Sequence, residues 1–198
     1  MPRLQADIIG LTALILVLLA WVVFGLTFLL RKKPAQTQKA KSVSASKWGV
    51  ALQSFSFAFV WILPRQRWWP FRESLAGELI LAALAVVLVY SSSFFILRAI
   101  RTLGKQWTFE ARVIKGHELV IRGPYAIVRN PIYLGMFGMI LGTGLVFSRW
   151  WTLSAAVVFF LIGNRIRIRA EEQLLRETFG AQFEDYARRV PAFFPRLL

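Results

Sequence analysis

The stretch IIGLTALILVLLAWVVFGLTFLL, from Ile8 to Leu30, carries no charged residue over 23 positions. At 1.5 Å per residue, a helix of this length reaches about 34 Å, which is enough to cross a hydrocarbon core of about 30 Å. The stretch ends in Arg31-Lys32-Lys33, a basic flank that is typical of a retained membrane anchor rather than of a cleaved signal peptide. It therefore predicts a transmembrane helix that stays in the mature chain.

The composition of the 198-residue chain also indicates a membrane protein. Hydrophobic residues make up 57% of it, and 17 Phe and 8 Trp exceed what a soluble core of this size needs. The net charge of +15 coexists with long uncharged stretches, so we assign the cations to membrane flanks rather than to a nucleic-acid surface. With no Cys and a single His, His117, the chain is not expected to bind a metal.

Four further apolar runs follow the first. They cover residues 48–63, 75–97, 132–147 and 150–163. Only Ser148-Arg149 separates the last two runs, and so short a break predicts a tight helical hairpin over 132–163. The predicted fold class is therefore all-α: a polytopic membrane protein with about five transmembrane helices, the last two forming a short hairpin, followed by a cytoplasmic C-terminal helical segment.

The distribution of Lys and Arg predicts how the chain is oriented. These residues concentrate in segments 31–47, 98–131 and 163–198, which alternate with loops that carry few cations. The positive-inside rule places all three segments in the cytoplasm, with the N-terminus outside and the C-terminus inside, in the inner membrane if the source is bacterial. The chain then divides into an N-terminal transmembrane region, 1–102, which contains the Lys-rich linker 31–47, and a C-terminal region, 103–198.

The polar segment before the hairpin is rich in turn formers, aromatic residues and cations. Gly123-Pro124 predicts a turn. Asn130 is a natural helix N-cap, and Pro131 suits the first position of the fourth apolar helix. Capping explains these residues without any function, although loops of this composition frequently carry function.

Two patterns beyond that segment also have structural explanations. Glu172 lies three residues after Arg169 and four before Arg176, which is typical of an ion-paired helix face. Gly138 and Gly142, four residues apart in an apolar run, indicate close packing between helices rather than ligand binding.

Several motifs of the C-terminal region occur in the order found in one family of membrane enzymes. They are Leu103-Gly-x-x-Trp107, Gly116-His117-x-Leu119-Val120, Gly123-Pro-Tyr-x-x-x-Arg129-x-Pro131-x-Tyr133-x-Gly135, Glu171-Glu172-x-Leu-Leu-x-x-x-Phe179-Gly180-x-x-Phe183-x-x-Tyr186 and a terminal Phe-Pro195. From Leu103 to Pro195 the chain resembles the isoprenylcysteine carboxyl methyltransferase and phospholipid methyltransferase family. It departs from the family pattern at Asn130, where a His is common, and at Ala192, where an Arg is common.

The resemblance implies a methyltransferase that uses S-adenosylmethionine at the cytoplasmic membrane face and releases S-adenosylhomocysteine. The acceptor would be a lipophilic molecule, either an isoprenylcysteine-like carboxylate or a phospholipid-type amine. The implied cofactor-binding residues are Trp107, His117, Leu119, Val120, Gly123, Tyr125, Arg129, Asn130, Pro131, Tyr133, Glu171 and Glu172. The candidate catalytic residues among them are Arg129, Tyr133 and Glu172.

The chemistry of this cofactor agrees with those residue types. Its ammonium, carboxylate, sulfonium and adenine need carboxylates, an Arg and aromatic faces. In-line methyl transfer depends mainly on alignment and on the exclusion of water, so no nucleophilic triad is expected. The lipid bilayer is the expected partner, and the acceptor is expected to enter laterally between helices. Neither nucleic acid nor metal is an expected partner.

Two alternatives remain open. A membrane reductase that uses NADPH, similar to sterol reductases, has a comparable C-terminal layout. A non-catalytic module could bind anionic lipid through its cations, at roughly 1 kcal/mol per basic residue near the surface. A soluble nucleotide-binding fold is excluded, because the sequence has neither a P-loop nor a strand followed by Gly-x-Gly-x-x-Gly.

Overall fold

The computed structural model describes residues 2–29, 44–62, 74–104 and 118–195. Within these ranges the chain is helical and contains no β-strand, which confirms the all-α prediction. The helices are α1 (Pro2–Leu29), α2 (Ser44–Ile62), α3 (Leu75–Leu103), α4 (Pro131–Phe147), α5 (Trp150–Phe179) and α6 (Ala181–Arg189), with one 3-10 turn at Gly123–Ala126. The predicted linker 31–47 lies outside the described residues except for its last four positions, which begin α2.

Three of the described helices, α1, α3 and α5, are long and apolar enough to cross a membrane. Helix α4 is apolar but has only 17 residues. Helices α1 and α3 expose apolar side chains. More than half of the residue surface is exposed at Leu11 and Val22 of α1 and at Leu84 and Val87 of α3. Contiguous exposed apolar surface of this kind suits a bilayer, so the chain is a membrane protein. The number of five spans and the orientation of the termini stay predictions.

The predicted break at Ser148-Arg149 is confirmed, but the second arm of the hairpin is longer than its apolar run. Helix α4 ends at Phe147 and α5 begins at Trp150. Helix α5 then continues past residue 163, where the apolar run ends, to Phe179. Hydropathy marks where a helix leaves lipid and not where it ends, and the Arg, Glu and Leu residues that follow are good helix formers.

Helix α5 ends at Gly180 because this residue adopts a left-handed conformation. Its φ is 50°, and its backbone N–H donates to the carbonyl of Arg176 at 2.9 Å. Glycine meets this conformation without steric cost, which is why it commonly terminates helices. The chain turns there into α6, and this turn brings the C-terminal residues back toward the start of α4.

Helix α4 packs closely against α3 through three glycines on one face. A Cβ atom added to Gly135, Gly138 or Gly142 would lie 2.4, 2.0 or 2.4 Å from a side-chain atom of α3. The prediction that Gly138 and Gly142 form a helix contact is therefore confirmed. Small residues at such a face let two backbones approach, and dispersion contacts then stabilise the pair inside a membrane.

Helix α2 packs against α5 in a similar way. At their crossing, a Cβ added to Gly49 would lie 2.8 Å from the carbonyl oxygen of Gly163. Beyond this point the hydroxyl of Ser56 donates to the carbonyl of Ala156 at 2.6 Å. Helix α1 lies on the other side, against α3. Contacts thus run from α1 through α3 and α4 to α5 and α2, while the 3-10 turn packs against α3 and α6 packs against α5.

The contact between α3 and α4 should be sensitive to a single methyl group. We expect Gly142→Ala to lower the melting temperature in detergent, because its Cβ would also lie 2.9 Å from the backbone carbonyl of Ala85, which cannot rotate away. Overpacking of this kind typically costs about 1–3 kcal/mol. Gly25→Ala is the matched control, since no atom lies within 4 Å of its added Cβ. Equal melting temperatures for the two variants would contradict the packing described here.

Candidate functional site

The candidate site lies where the segment before α4 meets the far ends of α5 and α6. The segment begins with the 3-10 turn at Gly123–Ala126, in which Gly123 has a φ of 62°. The C-terminal residues run beside it. The backbone N–H groups of Arg129 and Asn130 donate to the carbonyls of Pro191 and Ala192 at 2.9 and 3.2 Å. These bonds fix the chain on both sides of Arg129.

Arg129 forms a buried ion pair with Glu172. Its Nε and Nη2 atoms both lie 2.8 Å from Oε1 of Glu172. Its Nη1 donates to the backbone carbonyls of Ala187, at 2.9 Å, and of Val190. The second oxygen of Glu172 lies 3.6 Å from Nη2 of Arg176. One guanidinium thus connects the segment before α4 with α5, α6 and the residues that follow α6.

Glu171 has a different set of partners from Glu172. The Tyr133 hydroxyl donates to its Oε1 atom, and Nη2 of Arg167 lies 3.2 Å from the same oxygen. The Arg167 guanidinium also lies over the Tyr133 ring, 4.9 Å from the ring centre, in a cation–π arrangement. Consecutive helical residues point about 100° apart, so the two glutamates belong to two neighbouring polar groups.

A cleft that is partly open to solvent adjoins the Arg129–Glu172 pair. Six of the residues that the sequence analysis named line it, and they are Leu119, Val120, Tyr125, Arg129, Asn130 and Glu172. Four others, Gly123, Pro131, Tyr133 and Glu171, do not line it. Trp107 and His117 lie outside the described residues.

Five further residues, which were not predicted as site residues, also line the cleft. They are Leu103, Glu118, Leu175, Phe183 and Tyr186. Leu103, Leu175, Phe183 and Tyr186 stood in the quoted motifs, so the signal was present. Glu118 falls on the unspecified position of Gly116-His117-x-Leu119-Val120, so no motif indicated it.

Tyr186 fixes one wall of the cleft. Its hydroxyl donates to the backbone carbonyl of Tyr125 at 2.6 Å, and its side chain is almost wholly buried. Burial raises the pKa of the Tyr186 hydroxyl, so it keeps its proton at neutral pH and remains a hydrogen-bond donor. This bond joins α6 to the 3-10 turn across the cleft.

The Asp, Glu, His and Cys side chains in the described parts of the chain form no group of three or more that could hold a metal ion. The polar side chains of the site are instead carboxylates paired with guanidinium groups, together with tyrosine hydroxyls. Such an arrangement can bind a cationic ligand and hold hydrogen bonds in fixed directions.

The chain is similar to several known proteins over part of its length. It is 44% identical over 101 residues to the nickel-cobalt-cadmium resistance protein NccN of Alcaligenes xylosoxydans xylosoxydans, which is 48% of this chain and 45% of that protein. It is 34% identical over 102 residues to protein-S-isoprenylcysteine O-methyltransferase B of Arabidopsis thaliana, covering 49% and 50% of the two chains. It is 32% identical over 129 residues to the protein-S-isoprenylcysteine O-methyltransferase of Saccharomyces cerevisiae, covering 63% and 53%.

The chain therefore spans about half the length of the curated relatives that it matches. The sequence profile of the phospholipid methyltransferase family matches residues 80–182, from α3 to the start of α6. This range covers just over half of the 198 residues and includes Arg129 and both glutamates. The chain accordingly belongs to the phospholipid methyltransferase family, and the resemblance that its motifs predicted is confirmed.

Proposed function

We propose that this protein transfers a methyl group from S-adenosylmethionine to a lipophilic acceptor at the cytoplasmic face of the membrane. One observation carries the proposal: beside the cleft at the Arg129–Glu172 pair lies a second polar group, Tyr133 and Glu171, and Tyr133 belongs to the first turn of the apolar helix α4. A methyl donor that is soluble in water and an acceptor that is soluble in lipid need such neighbouring sites.

The residues of the cleft fit the proposed methyl donor. Glu172 offers a carboxylate to a ligand that carries an ammonium and a sulfonium, and Tyr125, Phe183 and Tyr186 offer aromatic surface to the adenine. When bound, the cofactor supplies a methyl group activated by the sulfonium charge.

Arg129 takes a different role in this proposal from the one that the resemblance implied. Its contacts to Glu172, Ala187 and Val190 engage all three guanidinium nitrogens, and at most one N–H remains for the carboxylate of the cofactor. We assign to Arg129 chiefly the task of holding Glu172 in one orientation and of joining α6 to the cleft. A pre-organised carboxylate binds a cation at a lower entropic cost, because its own side chain is already ordered.

Tyr133 and Glu171 face the acceptor in this proposal. Tyr133 is in the first turn of the apolar helix α4, and Glu171 precedes Glu172 beyond the apolar run of α5, so we assign this pair to the lipid-soluble substrate. An acceptor carboxylate needs no base, whereas an ammonium must first lose a proton, which the Glu171 carboxylate could accept. In either case alignment and exclusion of water provide most of the acceleration.

The names of the relatives point to an acceptor class. Two of the three described above are named protein-S-isoprenylcysteine O-methyltransferases, which favours a carboxylate at the end of an isoprenylated thioether as the acceptor. The family name points instead to a phospholipid amine. The name of the relative from Alcaligenes xylosoxydans xylosoxydans concerns metal resistance and describes no acceptor.

Binding of S-adenosylhomocysteine tests the donor site. We expect calorimetry on the detergent-purified protein to detect binding, and Glu172→Gln to weaken it by about tenfold or more, because hydrogen bonds to charged groups contribute about 1.5–3 kcal/mol. Glu177→Gln is the matched control, since Glu177 lies on the same helix and is exposed. Binding of NADPH, with none of S-adenosylhomocysteine, would favour the reductase instead.

Radiolabelled methyl transfer tests the acceptor class. We expect membranes that contain the protein to transfer label from S-adenosylmethionine to an S-isoprenylated N-acetylcysteine, and the label to be released by mild base as expected for an ester. Label that enters a lipid extract and resists base would identify an amine acceptor. A protein that binds anionic vesicles but transfers no label to either probe would favour the non-catalytic lipid-binding module.

A further inference from the structure

Gln53 is a buried polar residue in the middle of α2, a helix that lies outside the residues matched by the family profile. Its side chain is 2% exposed. A buried amide is costly among apolar helices unless its polar atoms are paired, because its hydrogen bonds to water are lost on burial. The presence of a buried Gln at this position therefore requires a physical explanation.

The oxygen of the Gln53 amide contacts the second polar group of the site. Nη1 of Arg167 donates to Oε1 of Gln53 at 3.2 Å, while Nη2 of the same guanidinium contacts Glu171. The guanidinium plane also lies over the Tyr133 ring. Arg167 is thus held from one side by α2 and from the other by the Tyr133–Glu171 pair.

The nitrogen of the Gln53 amide has no such partner. Among the described residues, Nε2 of Gln53 is buried without a hydrogen bond to the protein. An unpaired buried donor typically destabilises a fold by about 1–3 kcal/mol, so an apolar residue of the same length would serve packing better than Gln does. The contact between its oxygen and Arg167 is the feature that distinguishes Gln53 from an apolar packing residue.

Helix α2 also shapes the path of Arg167. One turn before Gln53 lies Gly49, and a Cβ atom added there would lie 2.5 Å from Cγ of Arg167. The stem of Arg167 therefore crosses α2 where α2 has no side chain. Two residues of α2, one turn apart, thus contact this side chain. Gly49 leaves space for its stem, and the amide oxygen of Gln53 accepts a hydrogen bond from its guanidinium.

We infer that Gln53 is a positioning residue for the methyl transfer: through Arg167 it sets the geometry of the Tyr133–Glu171 pair. The inference rests on the proposed function, in which this pair faces the acceptor. Without the Gln53 oxygen, the Arg167 guanidinium loses one of the contacts that orient it between Glu171 and the Tyr133 ring. The N-terminal half of the chain thereby contributes to the site as well as to membrane anchoring.

Three variants test the inference by the rate of label transfer, by S-adenosylhomocysteine affinity and by melting temperature. Gln53→Met keeps the length of the side chain and removes the oxygen, and we expect kcat to fall about tenfold while S-adenosylhomocysteine affinity stays within about twofold. Gln53→Glu restores an oxygen that can accept from Arg167, and we expect it to recover most of the lost rate. Ser56→Ala is the control, because Ser56 makes a buried contact between α2 and α5 away from the site.

The rates are measured with the S-isoprenylated N-acetylcysteine or, if only the lipid extract accepts label, with that extract. A kcat for Gln53→Met equal to that of Ser56→Ala would overturn the inference. So would a parallel loss of rate and S-adenosylhomocysteine affinity, since that pattern indicates a general structural role.

If Gln53→Met does not fold, Gln53→Asn takes its place. Its shorter side chain keeps the amide but withdraws the oxygen from Arg167, so an unchanged kcat would overturn the inference. A wild-type protein that neither binds S-adenosylhomocysteine nor transfers label would instead refute the proposed function and this inference with it. If the wild-type protein binds S-adenosylhomocysteine and transfers label, the comparison among the variants tests only the role of Gln53.

Discussion

The site depends on one buried ion pair, between Arg129 and Glu172. Two charges removed from water cost several kcal/mol each, and their attraction offsets this only when the remaining hydrogen-bonding groups are also paired. Here the carbonyls of Ala187 and Val190 complete the partners of the guanidinium. Removal of either charge would leave the other uncompensated, and it would weaken an attachment of α6 that the Tyr186–Tyr125 hydrogen bond and the backbone bonds to Pro191 and Ala192 also support.

The continuity of α5 explains how two consecutive glutamates serve two neighbouring groups. Because the helix runs unbroken from the hairpin to Phe179, its faces keep their directions as it leaves the apolar region. Glu172 then faces the segment before α4, and Glu171 faces Tyr133 and Arg167. A break at residue 163, where hydropathy falls, would have uncoupled these directions from the packing of α5 on α2. The unbroken helix α5 therefore fixes the directions in which Glu171 and Glu172 point.

Local patterns in the sequence predicted much of the fold. Uncharged runs indicated the helices, Ser148-Arg149 indicated the hairpin, and the spacing of Gly138 and Gly142 indicated a helix contact, because each of these features reflects the immediate surroundings of its residues. The ion-pairing of Glu172 with Arg176 followed from a four-residue spacing, but its stronger contact with Arg129 did not, because a contact across 43 residues leaves no periodic signal. The contact between Gln53 and Arg167 could not be predicted from the sequence for the same reason.

The two departures from the family motifs meet in space. The Asn130 side chain donates to the backbone carbonyl of Ala192 at 2.9 Å, and the Asn130 backbone N–H donates to the same oxygen at 3.2 Å. Ala192 contributes only its backbone carbonyl to these hydrogen bonds, so they form without an Arg side chain at this position. An amide at position 130 therefore binds the C-terminal segment through a neutral hydrogen bond whose strength does not change with pH, where an imidazole would introduce a titrating group.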